Sequence, residues 1–193
     1  MSVIYDLYDN VFKFRVGDTD EKGGCTFIGG SWVDKTTDDL FKNKKIVMFG
    51  LPGAFTPTCS GEQLPAYEER YDEFKAHGVD DIYCISVNDA FVMNAWARDL
   101  GIQKVKMIPD GDGAFTRSLG MLVNKPVQGF GMRSWRYSAL IDDRKVIQFN
   151  EESGLNNLGS DDDPYEVSDP DTMLEYFNTL PENQEVNPNI RLA

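Results

Sequence analysis

The sequence predicts an α/β domain: a central mixed sheet with helices on both faces. Short apolar runs, which indicate buried strands, alternate with stretches whose apolar residues recur every three or four positions, which indicate amphipathic helices. The predicted strands of the sheet are residues 45–49, 82–87, 105–108, 137–141 and 146–149. Predicted helices follow the first three of these strands, and another follows the last. Alternation of this kind is typical of a sheet covered by helices on both sides.

An N-terminal β-hairpin is predicted before this sheet. Aromatic and β-branched residues at 11–15 and 25–28 indicate two strands, and glycine pairs lie on both sides of the second one. The run Thr36-Thr37-Asp38 is a helix-start signal, so a short helix is expected over the next few residues.

The helix that follows Cys59 has one apolar face and two candidate starts. Thr56-Pro57 can begin it, with the Thr56 hydroxyl as cap, and Ser60-Gly-Glu-Gln63 has the spacing of a capping box. Pro65 removes an internal hydrogen bond, which predicts a kink that separates the turn carrying Cys59 from the rest. His77 and Gly78 mark the helix end.

The second half of the chain is equally regular. Asn88-Asp89 is expected to cap a helix to about Asp99. Asp112 is interpreted as a helix cap, because the calcium-loop pattern that starts at Asp110 fails at its later positions. Asp142-Asp143 is the predicted turn between the last two strands.

The final helix is predicted to start at Ser168 or Asp169 and to end at Pro181. The acidic loop before it, which contains Glu151, Glu152 and residues 161–163, is expected to be a solvated surface.

Composition points to one domain over residues 1–193. The chain is 41% hydrophobic and 12% aromatic, which is ordinary for a globular protein long enough to bury a substantial core. The polar residues 182–193 are expected to form a flexible tail.

The net charge of −13 makes nucleic acids and anionic membrane surfaces improbable partners, because both repel an acidic protein. No apolar run reaches the 18 residues or so of a membrane span, and the N-terminus shows no secretory signal. Three cysteines, an odd number, do not predict a secreted disulfide framework. A reducing cytoplasm fits these features best.

Cys59 is the strongest candidate for chemistry. It follows a buried strand and a loop broken by Pro52 and Gly53, and it lies in or just before the first turn of a helix. Unpaired N–H groups and the positive end of the helix dipole favour a thiolate there. Cys25, beside glycines, is interpreted as a structural or incidental thiol.

A helix terminus alone is too weak to activate a thiol. Lowering a cysteine pKa from about 8.5 to about 6 takes roughly 3.4 kcal/mol, whereas a helix terminus supplies at most about 2 kcal/mol. The only histidine, His77, lies about a helix length away from Cys59, so a Cys–His dyad is improbable. His77 also lacks partner residues for a metal site. The second positive group is therefore expected to be an arginine.

The motif Pro52-x-x-x-Thr56-x-x-Cys59 resembles that of the peroxiredoxins. The surrounding Pro-Gly-Ala-Phe-Thr-Pro-Thr-Cys-Ser is similar to their type II (Prx5-like) branch. The likeness continues, in order, over roughly residues 35–180. It includes Ser86-Val-Asn-Asp-Ala-Phe-Val-Met, Asp110-Gly-Asp-Gly-Ala-Phe, Gly131-Met-Arg-Ser-Trp-Arg-Tyr-Ser138 and Tyr165-Glu-Val-Ser-Asp-Pro-Asp-Thr-Met-Leu174.

This resemblance implies a thioredoxin-like fold and reduction of hydrogen peroxide and alkyl hydroperoxides, without cofactor or metal. The Cys59 thiolate would attack the O–O bond and become sulfenic acid. By resemblance, the hydroxyl of Thr56, the backbone N–H groups of Thr58 and Cys59, and the guanidinium of Arg136 would hold the peroxide oxygens. Pro52 would shield the thiolate from water. Arg133 is the competing arginine.

The resemblance also implies a homodimer packed near the active-site loops, where Phe55 and Phe91 could supply aromatic contacts.

How Cys59 would be recycled is left open between two routes. Cys84 has the spacing of the resolving cysteine of plant type II members, which would make the protein an atypical two-cysteine peroxiredoxin reduced by thioredoxin. Cys84 also lies in the middle of a predicted buried strand, however, where a core thiol is expected. The preferred expectation is a buried, non-resolving Cys84 with recycling by glutathione and glutaredoxin, since the motifs around residues 132–137 and 163–169 resemble bacterial glutathione-dependent members.

Two other functions are weighed. A dithiol oxidoreductase of the thioredoxin type needs a second cysteine three positions before Cys59, where this chain has Thr56. A redox sensor or chaperone-like holdase would use the same cysteine without turnover.

Overall fold

The structure is a computed structural model that describes residues 5–17, 30–155 and 163–180. Its strands are β1 (Tyr5–Asp6), β2 (Val11–Val16), β3 (Ser31–Thr36), β4 (Lys45–Gly50), β5 (Asp81–Ser86), β6 (Lys106–Pro109), β7 (Leu122–Lys125), β8 (Gly131–Ser134), β9 (Tyr137–Asp142) and β10 (Lys145–Glu151). Its α-helices are α1 (Thr37–Phe41), α2 (Leu64–Glu69), α3 (Tyr71–Ala76), α4 (Ala90–Asp99), α5 (Ala114–Ser118) and α6 (Pro170–Thr179).

The main sheet has six strands in the order β1-β10-β9-β4-β5-β6. β4, β5 and β6 run parallel to one another, and β9 joins β4 in the antiparallel direction. Parallel neighbours need crossover helices, and antiparallel ones need only a turn. The tight turn between β9 and β10 places Asp143 and Arg144 at positive φ, +45° and +70°. The predicted mixed sheet is confirmed.

Successive residues of β4 enter different cores, because side chains alternate across a strand. Ile46 and Met48 belong to one buried cluster, with residues of α1 and α5. Val47 and Phe49 belong to a second cluster on the opposite face, with residues of α2, α3, α4 and α6. Helices therefore cover both faces of the sheet, as predicted, and the second cluster contains Cys59 and Cys84.

The N-terminal hairpin is present with a different second strand. β2 pairs with β3, so that Val11 lies opposite Thr36 and Val16 opposite Ser31, and the pair forms a separate small sheet. The predicted partner, residues 25–28, lies outside the described residues, as do Cys25 and the predicted tail. β1 and the hairpin of β7 and β8 were not predicted from the sequence.

The helix predicted after Cys59 is divided into three parts. Cys59–Gln63 forms a single π-helical turn, here called the Cys59 turn, in which the N–H of Leu64 bonds the carbonyl of Cys59. α2 follows with Pro65 in its first turn, and α3 starts after Arg70. Pro65 has no N–H to donate, and the helix changes from π to α directly before it.

The predicted caps of α1, α4 and α6 are observed. Asp89 and Asp169 accept hydrogen bonds from the first N–H groups of α4 and α6. Thr36 and Asp39 form a capping box at α1. At α5 the prediction is partly wrong, because Gly113 is the cap residue and Asp112 only accepts from Ala114.

No helix in the described ranges is long and apolar enough to cross a membrane.

Gly50, the last residue of β4, offers a test of the sheet register. It lies opposite Tyr137, and a Cβ added to it would come within 2.2 Å of the buried Tyr137 ring. We expect Gly50→Ala to lower the free energy of unfolding by about 1–3 kcal/mol, because the ring cannot move without disturbing the core. Urea unfolding measures the change.

The matched control is Gly61→Ala in the Cys59 turn, where an added Cβ meets nothing within 4 Å. This variant should be as stable as the wild type or more so, because alanine has the higher helix propensity. Equal stability of the Gly50 and Gly61 variants would contradict the register.

Candidate active site

The loop between β4 and the Cys59 turn is held by short-range hydrogen bonds. Pro52 and Gly53 are buried at its start. The hydroxyl of Thr56 donates to the carbonyl of Gly53 at 2.8 Å, and the carbonyl of Thr56 accepts from the N–H of Ser60 at 2.9 Å. Thr56 was predicted to cap a helix. Its side chain instead holds the loop in place.

The Cys59 turn packs against the second core. Cys59 is fully buried. Thr58, before it, already has helical backbone angles, φ −62° and ψ −39°. Ser60 accepts a hydrogen bond at 3.0 Å from the indole N–H of Trp96, which lies on α4. The capping box predicted for Ser60 and Gln63 is not formed, because both side chains are bonded to other elements.

Arg136 lies beside Cys59. It directly precedes β9 and is only 1% exposed. Its Nη1 is 3.6 Å from Sγ of Cys59 and 2.6 Å from Oε1 of Gln63. Its Nη2 forms an ion pair with the carboxylate of Asp163.

The charge of Arg136 is stabilised by its neighbours. Burial lowers the pKa of the guanidinium, but the negative charges of Cys59 and Asp163 outweigh this effect and hold the pKa above its usual value. Arg136 thus stays a cation in a buried site. Its Nε has no hydrogen-bond partner within the described part of the chain.

Arg133, the competing arginine, is directed elsewhere. Its Nε donates to the carbonyl of Phe130 at 3.1 Å, and its Nη1 to the carbonyl of Val87 at 3.4 Å. A Cβ at Gly53 would lie 3.1 Å from Nη1 of Arg133, so this side chain packs against the loop before the Cys59 turn. The structure brings Arg136, and not Arg133, to Cys59.

Three residues of this site were missed by sequence analysis. Gln63 is four positions after Cys59, and this spacing places both residues on one face of a helix. The spacing could have indicated that Gln63 contacts the same arginine as Cys59. Asp163 and Glu152 belong to the loop that was expected to be solvated. Glu151 and Asp163 are exposed, as expected, whereas the expectation is wrong for Glu152. Glu152 is 1% exposed, and Asp163 pairs with the buried Arg136.

Ser168 connects Gln63 to Glu152. Nε2 of Gln63 lies 3.4 Å from the Ser168 hydroxyl and 3.5 Å from its carbonyl, to which the hydroxyl of Tyr67 also donates at 2.8 Å. The Ser168 hydroxyl in turn donates to Glu152 at 2.7 Å. A continuous chain of contacts therefore runs from Cys59 through Arg136 and Gln63 into the loop before α6.

Cys84 lies in β5, an inner strand of the sheet, between Phe49 of β4 and Met107 of β6. Its side chain is fully buried, and it is a free thiol like Cys59. Burial raises the pKa of Cys84 well above its usual value, and the negative charge of Cys59 raises it further. Cys84 is therefore a poor nucleophile in this conformation.

The two expected interface aromatics differ in exposure. Phe55, in the loop before the Cys59 turn, is 54% exposed and has a positive φ of +63°. Phe91 is partly buried and packs edge-on against Trp32, with their ring centres 5.4 Å apart.

Among the described residues, no three histidine, cysteine or acidic side chains gather as a metal site would require.

Comparison with known proteins identifies the family. A family model described as Redoxin matches residues 31–166. Peroxiredoxin y4vD of Sinorhizobium fredii is 55% identical over 169 residues, which are 88% of each chain. Hybrid peroxiredoxin hyPrx5 of Haemophilus influenzae is 52% identical over 157 residues, 81% of this chain and 63% of that relative.

A solved structure extends the comparison to the fold. The Plasmodium falciparum antioxidant protein, a 1-Cys peroxiredoxin, superimposes with a TM-score of 0.82 and 35% identity, covering 90% of this chain and 98% of that one. The sheet order, the buried cysteine beside an arginine and these matches lead to one conclusion. The chain belongs to the Redoxin family, as a thiol peroxidase of the type II, Prx5-like branch of the peroxiredoxins.

Proposed function

We propose that Cys59 is the peroxidatic cysteine of this protein and that it reduces hydrogen peroxide and alkyl hydroperoxides. The observation that carries the proposal is the 3.6 Å contact between Nη1 of Arg136 and Sγ of Cys59, with both groups buried. Arg136 is the second positive group that the charge argument required. A guanidinium at this distance supplies a positive charge and a hydrogen-bond donor beside the reacting sulfur.

In the proposed reaction the thiolate attacks one oxygen of the peroxide. The S–O bond forms as the O–O bond breaks, and the cysteine becomes sulfenic acid. The departing oxygen leaves as hydroxide or alkoxide and takes up a proton, giving water or an alcohol. Donors that face this developing negative charge lower the barrier.

Each neighbouring group has a proposed role. The Thr56 hydroxyl already donates to Gly53, so its oxygen is left to accept from the peroxide O–H. Arg136 has an unpartnered Nε in the described structure, and this N–H would donate to the peroxide oxygens. The backbone N–H groups of Thr58 and Cys59 would add donors, and the buried Pro52 would limit access of water.

We propose that glutathione, with glutaredoxin, returns Cys59 to the thiol. The alternative resolving thiol, Cys84, is held in an inner strand, and its pKa is raised by burial. Its thiolate is therefore scarce at neutral pH. The similar Plasmodium protein is described as a 1-Cys peroxiredoxin, which favours the same route. This reductant implies a thiol-reducing compartment, and we propose the cytoplasm.

Glutathione must reach a sulfur atom that is fully buried. The Cys59 turn ends where Pro65 interrupts regular helical bonding, so it can open without unfolding α2 and α3. We propose that this turn moves outward when the sulfenic acid is reduced.

The three cysteines predict a clear pattern of activity. Cys59→Ser should abolish peroxide reduction in an NADPH-coupled assay with glutathione and glutaredoxin, because serine is not ionised at neutral pH. Cys84→Ser and Cys25→Ser should keep nearly full turnover, since neither thiol takes part. A glutathione adduct on Cys59 is expected by mass spectrometry after one equivalent of peroxide.

A Cys59–Cys84 disulfide that forms without added thiol, together with loss of turnover in Cys84→Ser, would instead support recycling by thioredoxin. Consumption of only about one peroxide per chain with reductant present would indicate a sensor or holdase. Activity of the Cys59 variant would refute the proposal itself.

Arg136→Ala should slow the peroxide step and move the pH midpoint of Cys59 alkylation upward. It removes both the nearest positive charge and a donor, and losing one such donor costs about 10²–10³-fold in rate. Stopped-flow kinetics and iodoacetamide titration against pH measure the two effects. Arg133→Ala is the matched control, since its guanidinium bonds Val87 and Phe130, and an unchanged Arg136 variant would contradict the assignment.

We also propose a homodimer that uses the exposed Phe55. Phe55→Asp should weaken it, because a carboxylate opposes burial of this position in an apolar interface. Aspartate tolerates the positive φ of this residue, so the fold should be kept. Light scattering measures the dimer, and Val127→Asp, at a residue 67% exposed, is the control. A monomeric wild type under reducing and oxidising conditions would contradict the dimer.

A further inference from the structure

Glu152 holds a loop by an unusual concentration of hydrogen bonds. It directly follows β10, and one carboxylate oxygen, Oε1, accepts from the N–H groups of Glu166, Val167 and Ser168 at 2.8, 2.9 and 2.9 Å. The same oxygen accepts from the Ser168 hydroxyl at 2.7 Å. Four donors on one buried acceptor hold residues 166–168 in one conformation.

The loop held in this way contacts Arg136 directly through Asp163 and indirectly through Ser168. Asp163, at its start, pairs with Nη2, and Ser168, at its end, contacts Gln63, whose Oε1 bonds Nη1. The backbone of Glu152 is also attached to Arg136, because its N–H donates to the Arg136 carbonyl at 3.1 Å. Glu152 thus connects the main chain of Arg136 to the loop that holds its side chain.

We propose that Glu152 is a positioning residue for the peroxidatic site, which fixes the guanidinium of Arg136 against Cys59 through the loop of residues 163–168. The inference rests on the proposed function, since it assigns to Glu152 an effect on Cys59 that is transmitted by Arg136.

The sign of its charge favours this role over a direct electrostatic one. A buried anion near a site that must hold a thiolate opposes ionisation of the thiol. Burying a carboxylate is also costly, and the other oxygen of Glu152, Oε2, has no partner within the described residues. The benefit of Glu152 therefore lies in geometry, and a displacement of about 1 Å in such a site can cost about 10²-fold in rate.

Two substitutions separate the effect of the length of the Glu152 side chain from the effect of its charge. Glu152→Asp keeps the charge but shortens the side chain by one methylene, so the carboxylate no longer reaches the loop N–H groups. Glu152→Gln keeps the length and an acceptor oxygen but removes the charge. Glu151→Asp and Glu151→Gln, at the exposed preceding residue, are the matched controls.

The measurements are the second-order rate of the peroxide step and the pH midpoint of Cys59 alkylation, both on folded protein. We expect Glu152→Asp to be about tenfold slower or more, with the alkylation midpoint moved upward, because the guanidinium is no longer fixed beside the thiolate. Glu152→Gln should stay within about threefold of wild type, with no upward movement of the midpoint. Both Glu151 variants should match the wild type.

Wild-type kinetics in folded Glu152→Asp would overturn the proposal. Loss of rate in Glu152→Gln with full rate in Glu152→Asp would also overturn it, because charge alone would then matter. If Glu152→Asp does not fold, the same two measurements on Ser168→Ala test the proposal. A rate about threefold slower, or more, with an upward midpoint would support positioning, and no change in either would refute it.

Failure of the proposed function would look different. A wild type without peroxide reduction, or Arg136→Ala at full rate, would remove the basis of the proposal regardless of Glu152. An active wild type and a slow Arg136→Ala, with Glu152→Asp like wild type, would overturn the inference about Glu152 alone.

Discussion

The burial of one guanidinium is the constraint on which the site depends. Arg136 is 1% exposed, and a charge in that position costs several kcal/mol unless acceptors surround it. The acceptors come from separate elements: Cys59 and Gln63 from the turn after β4, and Asp163 from the loop before α6. Satisfying the charge of Arg136 therefore forces these elements together, and the same requirement that stabilises the fold places a cation beside the sulfur.

The sheet register brings Arg136 to this position. Gly50, the last residue of β4, lies opposite Tyr137, the first residue of β9, in an antiparallel pair. Arg136 therefore lies next to the point where β4 ends and the loop before the Cys59 turn begins. A shift of one residue would turn the arginine to the opposite face of the sheet, away from the core that contains Cys59. The absence of a side chain at Gly50 is what leaves room for the Tyr137 ring in this register.

Local signals predicted much of the fold, and their limits explain what they missed. The strands of the main sheet other than β1, and the caps at Asp89 and Asp169, depend on neighbouring residues, so they could be predicted from the sequence. The burial of Glu152 and the ion pair of Asp163 could not be predicted in a chain with 32 acidic side chains, because the residues they contact are distant in sequence. Arg136, for example, lies 27 positions before Asp163. The residues alone did not decide between Arg133 and Arg136 either; the resemblance favoured Arg136, and the strand register agrees.

The shared guanidinium also bears on the proposed reaction cycle. While Cys59 is a thiolate, Arg136 faces two anions, Cys59 and Asp163. Oxidation to sulfenic acid removes one of these charges, so the attraction that holds the Cys59 turn inward weakens. Arg136 meanwhile keeps Asp163 and Gln63, and the loop behind them is held by Glu152. In the proposed cycle the turn then opens to the reductant while Arg136 stays paired, so the contacts of the arginine are unchanged when the thiol forms again.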